Sequence, residues 1–239
     1  MAIVSNTVIY LDGDVVLEAF FAFDDALSGR RPTVLINHTW AGRDDFVAEK
    51  AKKLAALGYV GFAVDMYGKG VLGSSPEENM KLMQPFMADR AMLQKRMKAA
   101  LSAVKLMPWV DDSKIAAIGF CFGGLCSLDL ARTGVDIKGV VSFHGLLNAP
   151  DNMQGTAIKA KILALRGRDD PLVPTEQVLA FEQEMTEAGA DWQLHTYGHT
   201  MHGFTNPLAN NPAFGTVYQP AADRRSWIAM QNFLTEIFA

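Results

Sequence analysis

Short apolar runs alternate with longer amphipathic segments along the whole chain. The first two runs, Ile3–Tyr10 and Val15–Phe23, have the residue types of β-strands, and Asp12-Gly13 between them is typical of a hairpin turn. Six further runs follow, and the first of them, Thr33–Asn37, is solidly apolar, as expected of a parallel strand that helices cover on both faces. The six runs are Thr33–Asn37, Tyr59–Val64, Ile115–Ile118, Lys138–Phe143, Ile162–Arg166 and Trp192–Tyr197. The pattern predicts an α/β fold whose doubly wound, mostly parallel sheet has about eight strands and an N-terminal antiparallel hairpin.

The amphipathic segments between these strands predict helices. The first runs from Asp44 or Asp45 to about Leu57, the second follows Thr175 as its N-cap and runs to about Ala188, and the third runs from Ala221 to Phe238. Asp111-Asp112-Ser113 is predicted as a turn before the Ile115–Ile118 strand, and Asn206–Pro220 is predicted as a loop. A further segment, Glu77–Met107, is rich in good helix formers, and Pro85 is expected to divide it into two helices. Its many methionines favour either a helix packed on the sheet or an adaptable apolar wall over a pocket.

The composition fits one globular domain and excludes several classes of function. The chain has 239 residues, of which 49% are hydrophobic, enough for one large α/β core. A net charge of −4 does not indicate the basic surface that binding of nucleic acid requires. Because no repeat, low-complexity tract or linker divides the chain, we expect a single domain over residues 1–239.

The N-terminus and the cysteines indicate a compartment. The residues Met1–Asn6 carry no basic region and no long apolar core, so we expect no signal peptide and no membrane span. The two cysteines, Cys121 and Cys126, imply no disulfide framework and lack metal-ligand spacing, so no metal and no cofactor are expected. A reducing cytoplasm is the expected location.

The stretch Gly119-Phe120-Cys121-Phe122-Gly123-Gly124 lies between a predicted strand and a predicted helix. A sharp, glycine-flanked turn of this kind is the nucleophile elbow, here with cysteine in place of serine. The start of the helix behind the turn favours a thiolate at Cys121. The alternative is a tight strand-to-helix turn that carries a buried, inert cysteine.

Several chemistry-bearing residues follow predicted strands directly and can therefore meet at one edge of the sheet. In chain order they are Cys121, His144, Asp169 or Asp170, and His199 or His202. Nucleophile, acid and then histidine is the order of α/β-hydrolases. A thiol needs a base, and the base needs a partner that holds its tautomer, so the pattern predicts a catalytic triad.

Each position of the triad has competing candidates. We favour Asp170 as the acid because it precedes Pro171-Leu172-Val173-Pro174, whereas Asp169 is expected to be a turn residue. We favour His202 as the base, with His199 as a loop or supporting residue. Either His144 faces the cleft or it is a histidine bonded to the backbone.

A negatively charged oxygen in the transition state needs two backbone N–H donors. The first is predicted to be Phe122, directly after the nucleophile. The second is predicted to be Trp40, in the loop after the Thr33–Asn37 strand.

These motifs resemble those of the dienelactone hydrolase family over some four-fifths of the chain. The matching pieces are Leu57-Gly58-Tyr59, Asp65-Met66-Tyr67-Gly68, the Cys121 elbow, Asp170-Pro171-Leu172-Val173-Pro174 and His202-Gly203-Phe204-Thr205-Asn206-Pro207. The resemblance implies an α/β-hydrolase fold, a triad of Cys121, Asp170 and His202, no metal, and hydrolysis of an ester or lactone through an acyl-thioester. Thr39, His144, Tyr67 and Phe204 are then expected to line the pocket.

Two positions depart from the family pattern. Thr39 stands where the family has a glutamate that helps to activate the cysteine, and Asn206 stands where the family has an arginine that binds a substrate carboxylate. The main hypothesis is a cysteine-dependent hydrolase of a small ester or lactone, acting as a monomer or homodimer. The alternative is a non-catalytic member of the fold that binds a small molecule or senses oxidants through Cys121.

Overall fold

The computed structural model describes residues 2–153 and 155–239, so Met1, the first residue of the Met1–Asn6 segment considered above, lies outside the described residues. In chain order the elements are β1 Ile3–Asp12, β2 Val15–Asp24, β3 Arg31–Asn37, α1 Asp45–Ala55, β4 Val60–Ala63, α2 Pro76–Ala88, α3 Arg90–Lys105, β5 Val110–Phe120, α4 Phe122–Arg132, β6 Gly139–Phe143, β7 Lys161–Gly167, α5 Thr175–Glu187, β8 Trp192–Tyr197, β9 Asn210–Asn211, β10 Thr216–Val217 and α6 Pro220–Ile237. Short 3-10 turns occupy Asp151–Met153 and Pro212–Phe214.

The main sheet has eight strands in the order β1-β2-β4-β3-β5-β6-β7-β8. The pairs β1/β2 and β2/β4 are antiparallel, whereas β3/β4, β6/β7 and β7/β8 are parallel. The predicted α/β fold, with its N-terminal hairpin and its mostly parallel sheet, is confirmed. The chain groups into two compact units, one ending at Ile118 and one beginning at Gly119. The single domain over residues 1–239 stays a prediction.

In the first unit the N-terminal hairpin is longer than predicted. β1 and β2 pair over their full length, from Ile3 opposite Asp24 to Asp12 opposite Val15. The turn is therefore confined to Gly13 and Asp14, and Gly13 has the positive φ of 59° that such a turn needs. β3 and β4 carry the apolar core of this unit, where residues 60–63 are all buried.

The helical segment of the first unit divides at a different residue from the one predicted. Pro85 lies inside α2, and the break falls at Asp89, between α2 and α3. The Asp89 side chain accepts a hydrogen bond from the Met92 N–H at 2.9 Å and so caps α3. The N-cap at Asp89 decides where α3 begins. Pro85 lies in the last turn of α2, where it does not break the helix.

Three further boundaries differ from the predictions. β5 begins at Val110, so that Asp111–Ser113, predicted as a turn, belongs to the strand. The N-cap of α5 is Pro174, and Thr175 is the first helical residue. The predicted loop after Asn206 contains the small antiparallel pair β9/β10.

In the second unit α4 and β6 form the centre of the core. All residues of both elements are buried. Gly139 of β6 leaves no room for a side chain beneath Phe233 and Ile237, so α6 packs closely over this strand. Within residues 2–153 and 155–239, no helix combines the length and the apolar composition needed to cross a membrane.

Candidate active site

Cys121 lies at the turn between β5 and α4, in the second unit. Its φ of 57° and ψ of −119° are strained for a residue with a side chain. Its carbonyl accepts hydrogen bonds from Gly124 and Leu125 at 2.9 and 3.4 Å, which start the helix. The side chain is half-buried, whereas Cys126 is fully buried, and neither forms a disulfide. The turn therefore has the geometry of a nucleophile elbow with an accessible thiol.

Glycines at two positions, Gly119 and Gly124, make this turn possible. A Cβ on Gly119 would overlap the carbonyl group of Gly123. A Cβ on Gly124 would lie 2.6 Å from Ser142 Oγ and 2.8 Å from Gly145 Cα, because the first turn of α4 crosses the end of β6 closely. The backbone contacts exclude side chains here, which explains the glycine pattern around Cys121.

His202 and Asp170 form a buried pair. His202 Nδ1 donates to Asp170 Oδ2 at 2.9 Å, and the two residues are only 3% exposed. The other oxygen of Asp170 accepts the Leu172 N–H at 2.9 Å, which fixes the carboxylate. The His202 backbone is held by Gly215 and by Val217, at 2.8 and 3.0 Å. His202 Nε2 is buried and has no nitrogen or oxygen partner among the described residues.

The electrostatics link His202 to Cys121. Burial by itself lowers the pKa of His202, but the charge of Cys121 and the hydrogen bond to Asp170 outweigh burial and raise that pKa to about 10. The direction favours an imidazolium at neutral pH that donates from Nδ1 to Asp170 and faces a thiolate with Nε2. Such a pair has the charge states needed for attack by sulfur and for protonation of a leaving group.

The competing candidates lie elsewhere. Asp169 is exposed, and its backbone N–H donates to the Thr200 carbonyl at 2.9 Å. His199 is exposed and has a φ of 53°. Of the two neighbouring carboxylates, the one in contact with His202 is thus Asp170.

His144 takes neither a solvent-facing position nor the position of a triad member. It is 1% exposed, and its Nδ1 accepts the backbone N–H of Cys121 at 3.1 Å. Its Nε2 lies 2.8 Å from Thr205 Oγ1. Of the two predicted positions for His144, the histidine bonded to the backbone is the one that the structure shows. Sequence reasoning did not predict that Cys121 is the backbone partner, and it missed Thr205, which carried no signal except its position in the His202 motif.

Phe204 and Phe122 are buried rather than open to solvent. Phe204 is fully buried and packs edge-on against His144, with ring centroids 5.0 Å apart. Phe122 is 2% exposed and is the first residue of α4, directly after Cys121. The oxyanion role of its N–H stays a prediction.

The remaining predicted site residues belong to the first unit. Trp40 and Thr39 are half-buried, and the Trp40 carbonyl accepts a hydrogen bond from the Tyr67 hydroxyl at 3.0 Å. The backbone N–H of Tyr67 is in turn held by Asp65 Oδ1 at 3.0 Å. Asp65 and Tyr67 thus fix the loop that carries Trp40, whose oxyanion role stays a prediction.

No metal centre is formed by the residues in the described ranges: they contain no group of three or more His, Cys, Asp and Glu side chains that would hold an ion. His38 is fully buried in the first unit, where its Nε2 accepts the Met66 N–H at 3.2 Å. Nδ1 of His38 lies 2.5 Å from the Thr39 carbonyl oxygen, so both ring nitrogens form hydrogen bonds with the backbone.

Comparison with known families agrees with the fold. The model of the dienelactone hydrolase family matches residues 17–238. The chain belongs to the dienelactone hydrolase family. The predicted class, a hydrolase of esters or lactones, is confirmed at the level of this family.

Two relatives match this chain over most of their own length. A probable 2-oxo-3-(5-oxofuran-2-ylidene)propanoate lactonase from a Bradyrhizobium species is 25% identical over 84% of this chain and 82% of its own. A putative carboxymethylenebutenolidase of Yersinia pestis is 25% identical over 97% of this chain and 87% of its own.

Solved structures of dienelactone hydrolase-like proteins superpose on the whole chain. A dienelactone hydrolase-like promiscuous phosphotriesterase from metagenomic libraries is 38% identical, with a TM-score of 0.96 over 100% of both chains. A putative dienelactone hydrolase from Klebsiella pneumoniae is 18% identical, with a TM-score of 0.81 over 98% of this chain and 99% of its own, and shares the fold.

Proposed function

We propose that this protein hydrolyses a small carboxylic ester or lactone with Cys121 as the nucleophile. The observation that carries the proposal is the half-exposed Cys121 at a strained elbow, electrostatically coupled to His202, which is bonded to Asp170. Family membership supports the hydrolytic class. The cysteine nucleophile is proposed from the geometry around Cys121.

In the first half of the reaction the Cys121 thiolate attacks the carbonyl carbon of the substrate. The Phe122 N–H, one residue after the nucleophile, stabilises the developing oxyanion, and Trp40 is the second donor predicted from the sequence. As the carbon–oxygen bond breaks, His202 donates the proton on Nε2 to the leaving alkoxide. In a lactone this alkoxide remains attached to the acyl group.

In the second half His202, now neutral, takes a proton from water. The hydroxide attacks the thioester carbon, the carbon–sulfur bond breaks, and the thiolate of Cys121 is restored beside a protonated His202. Asp170 accepts a hydrogen bond from Nδ1 in both halves, which keeps Nε2 directed away from the carboxylate.

The relatives bear on the substrate class. The Bradyrhizobium relative is named as a lactonase of an oxofuran-containing propanoate, which supports an unsaturated lactone. Asn206 stands in place of the family arginine that binds a substrate carboxylate, so we favour a neutral lactone or ester over a dianionic one.

A second candidate reaction is hydrolysis of an aryl phosphotriester. The observation that favours it is the identity of 38% over the full chain with a promiscuous phosphotriesterase, which exceeds the identity with the two named lactone hydrolases above. The same thiolate would attack phosphorus as the bond to the aryloxide breaks, with the Phe122 N–H donating to the phosphoryl oxygen and His202 donating a proton to the aryloxide. Water, deprotonated by His202, would then cleave the phosphorus–sulfur bond and restore the thiolate.

The test of the proposal is Cys121→Ala, measured with p-nitrophenyl acetate, a set of lactones and paraoxon. We expect kcat/KM for every hydrolysed substrate to fall by at least about 1000-fold, because the covalent step is lost. The matched control is Cys126→Ala, which removes the buried thiol of α4 and should keep the turnover. Wild-type rates in Cys121→Ala would contradict the mechanism.

Alkylation distinguishes this proposal from a non-catalytic protein. Iodoacetamide is added to the wild-type protein, and mass spectrometry locates the label. Turnover that falls in proportion to labelling of Cys121 supports the hydrolase. Labelling of Cys121 in a protein that turns over none of the substrates supports the binding or oxidant-sensing alternative.

A further inference from the structure

His144 connects the elbow to the loop that carries His202. It follows β6 with a φ of 41°, in the left-handed region that residues with side chains rarely adopt. Its backbone N–H donates to the Leu165 carbonyl of β7 at 2.8 Å, which holds this conformation. A strained backbone at a buried, ionisable residue is typical of a functional position.

The hydrogen bonds of the His144 ring define its tautomer. A backbone N–H can only donate, so Nδ1, which lies 3.1 Å from the Cys121 nitrogen, carries a lone pair. The proton of the neutral ring is therefore on Nε2, which donates to Thr205 Oγ1 at 2.8 Å. Both nitrogens are engaged, which excludes His144 as a second general base.

The Cys121 amide thus lies between two acceptors. It donates to the Phe143 carbonyl at 3.0 Å as well as to His144 Nδ1. The left-handed conformation of Cys121 costs on the order of 1–3 kcal/mol and persists only where neighbouring groups hold it. His144 supplies one of these groups.

The same ring contacts the base. The imidazoles of His144 and His202 meet edge to face, with centroids 5.1 Å apart. The Phe204 ring also packs edge to face against the His144 ring, with centroids 5.0 Å apart. The Thr205 hydroxyl, three residues after His202, accepts a hydrogen bond from Nε2 of His144. The loop that carries His202 is therefore bonded to the ring that holds the Cys121 backbone.

We propose that His144 is a positioning residue, which fixes the Cys121 backbone and the His202 ring in the arrangement that proton transfer between sulfur and Nε2 requires. The inference rests on the proposed function, since it concerns the Cys121–His202 pair. It predicts that loss of the two His144 hydrogen bonds lowers kcat rather than raising KM.

The test compares three substitutions that differ in the bonds they keep. His144→Phe keeps the ring volume and loses both bonds, and we expect kcat for p-nitrophenyl acetate to fall about 10- to 100-fold at a similar KM, as for a small misplacement of reacting groups. His144→Asn keeps an acceptor near the position of Nδ1 and should recover most of kcat. His144→Gln keeps a donor near Nε2 and should remain slow.

Two further measurements exclude a merely structural role. The rate of Cys121 alkylation by iodoacetamide should fall in His144→Phe and recover in His144→Asn, because it reports the thiolate and not the substrate site. The matched control is His195→Phe, on β8, which should change neither rate. Should His144→Phe fail to fold, Thr205→Val removes the Nε2 partner alone and should lower kcat in the same direction.

The outcomes separate the two proposals. Cys121→Ala without turnover, together with wild-type kcat and alkylation in His144→Phe, would refute the positioning role and leave the hydrolase standing. An Asn variant as slow as the Phe variant would also overturn it. Turnover in Cys121→Ala would instead remove the proposed function itself.

Discussion

Two adjacent carboxylates, Asp169 and Asp170, differ completely in environment. Asp169 is exposed, whereas Asp170 is 3% exposed and bonded to His202. The sequence could distinguish them because proline follows Asp170 and fixes the turn that directs its side chain inward. The bond between the Cys121 N–H and His144 could not be predicted in this way, since it depends on the rotamer of a side chain across two strand ends.

The role of Asp170 can be measured with Asp170→Asn. The change removes a charge and an acceptor that raise the pKa of His202, so we expect kcat/KM to fall about 10²- to 10⁴-fold. Because the pKa of His202 falls, activity should also be lost at a lower pH on the alkaline side. The measurement is kcat/KM between pH 6 and pH 10, beside Asp169→Asn, which should stay within about threefold of wild type. Equal losses in the two variants would contradict the assignment.

At the scale of elements, the elbow joins a buried strand to a buried helix at one tight turn. The glycine pattern around Cys121 predicted this turn correctly because the backbone contacts leave no alternative residue. Boundaries were harder where local signals conflict. Asp111–Ser113 reads as a turn, yet the ladder of β5 includes it, and Pro85 reads as a helix break, yet Asp89 provides the stronger cap.

The closeness of strand and helix at the elbow predicts the effect of Gly119→Ala. Its Cβ would overlap the Gly123 carbonyl, which is backbone and has no room to move, so we expect the free energy of unfolding to fall by about 2–4 kcal/mol. Urea unfolding measures this. The control is Gly198→Ala, where a Cβ meets nothing within 4 Å and the change should be within about 0.5 kcal/mol. Equal stability of the two variants would show that the elbow tolerates a side chain.

At the scale of the molecule, the sequence predicted the fold class and the order of strands and helices. The spacing of apolar residues and the glycines and prolines between segments are local signals. The sequence did not predict the grouping into two compact units, which depends on contacts between residues far apart in the chain. It also did not predict which histidines are buried in neutral form. His38 is fully buried and bonded at both nitrogens to the backbone of the first unit.

His38 makes the whole protein sensitive to acid. Burial lowers its pKa to about 4, and the hydrogen bond to the Thr39 carbonyl offsets this only in part. Below pH 6.5 the His38 side chain is protonated in the unfolded chain, whereas in the folded protein it stays neutral down to about pH 4. The free energy of unfolding should therefore fall as the pH drops through this window, by on the order of 3 kcal/mol in total.

Urea unfolding at pH 7, 5.5 and 4.5 tests this expectation. His38→Gln keeps an acceptor for the Met66 N–H and removes the titration, so its stability should depend less on pH than that of wild type. His195→Gln, at a half-buried position on β8, is the matched control and should follow wild type. The same pH dependence in all three proteins would exclude His38 as the source.

The unequal burial of the two cysteines also determines how this protein would be damaged. A thiolate at half-exposed Cys121 is open to peroxide, and its first product, a sulfenic acid, is rescued only by a second thiol. Cys126, the second cysteine of the sequence, is fully buried in α4, so peroxide in solution meets Cys121 first. Because oxidation beyond the sulfenic acid gives an irreversible sulfinic acid, the lifetime of the protein under peroxide depends on how fast a thiol reduces the sulfenic acid at Cys121.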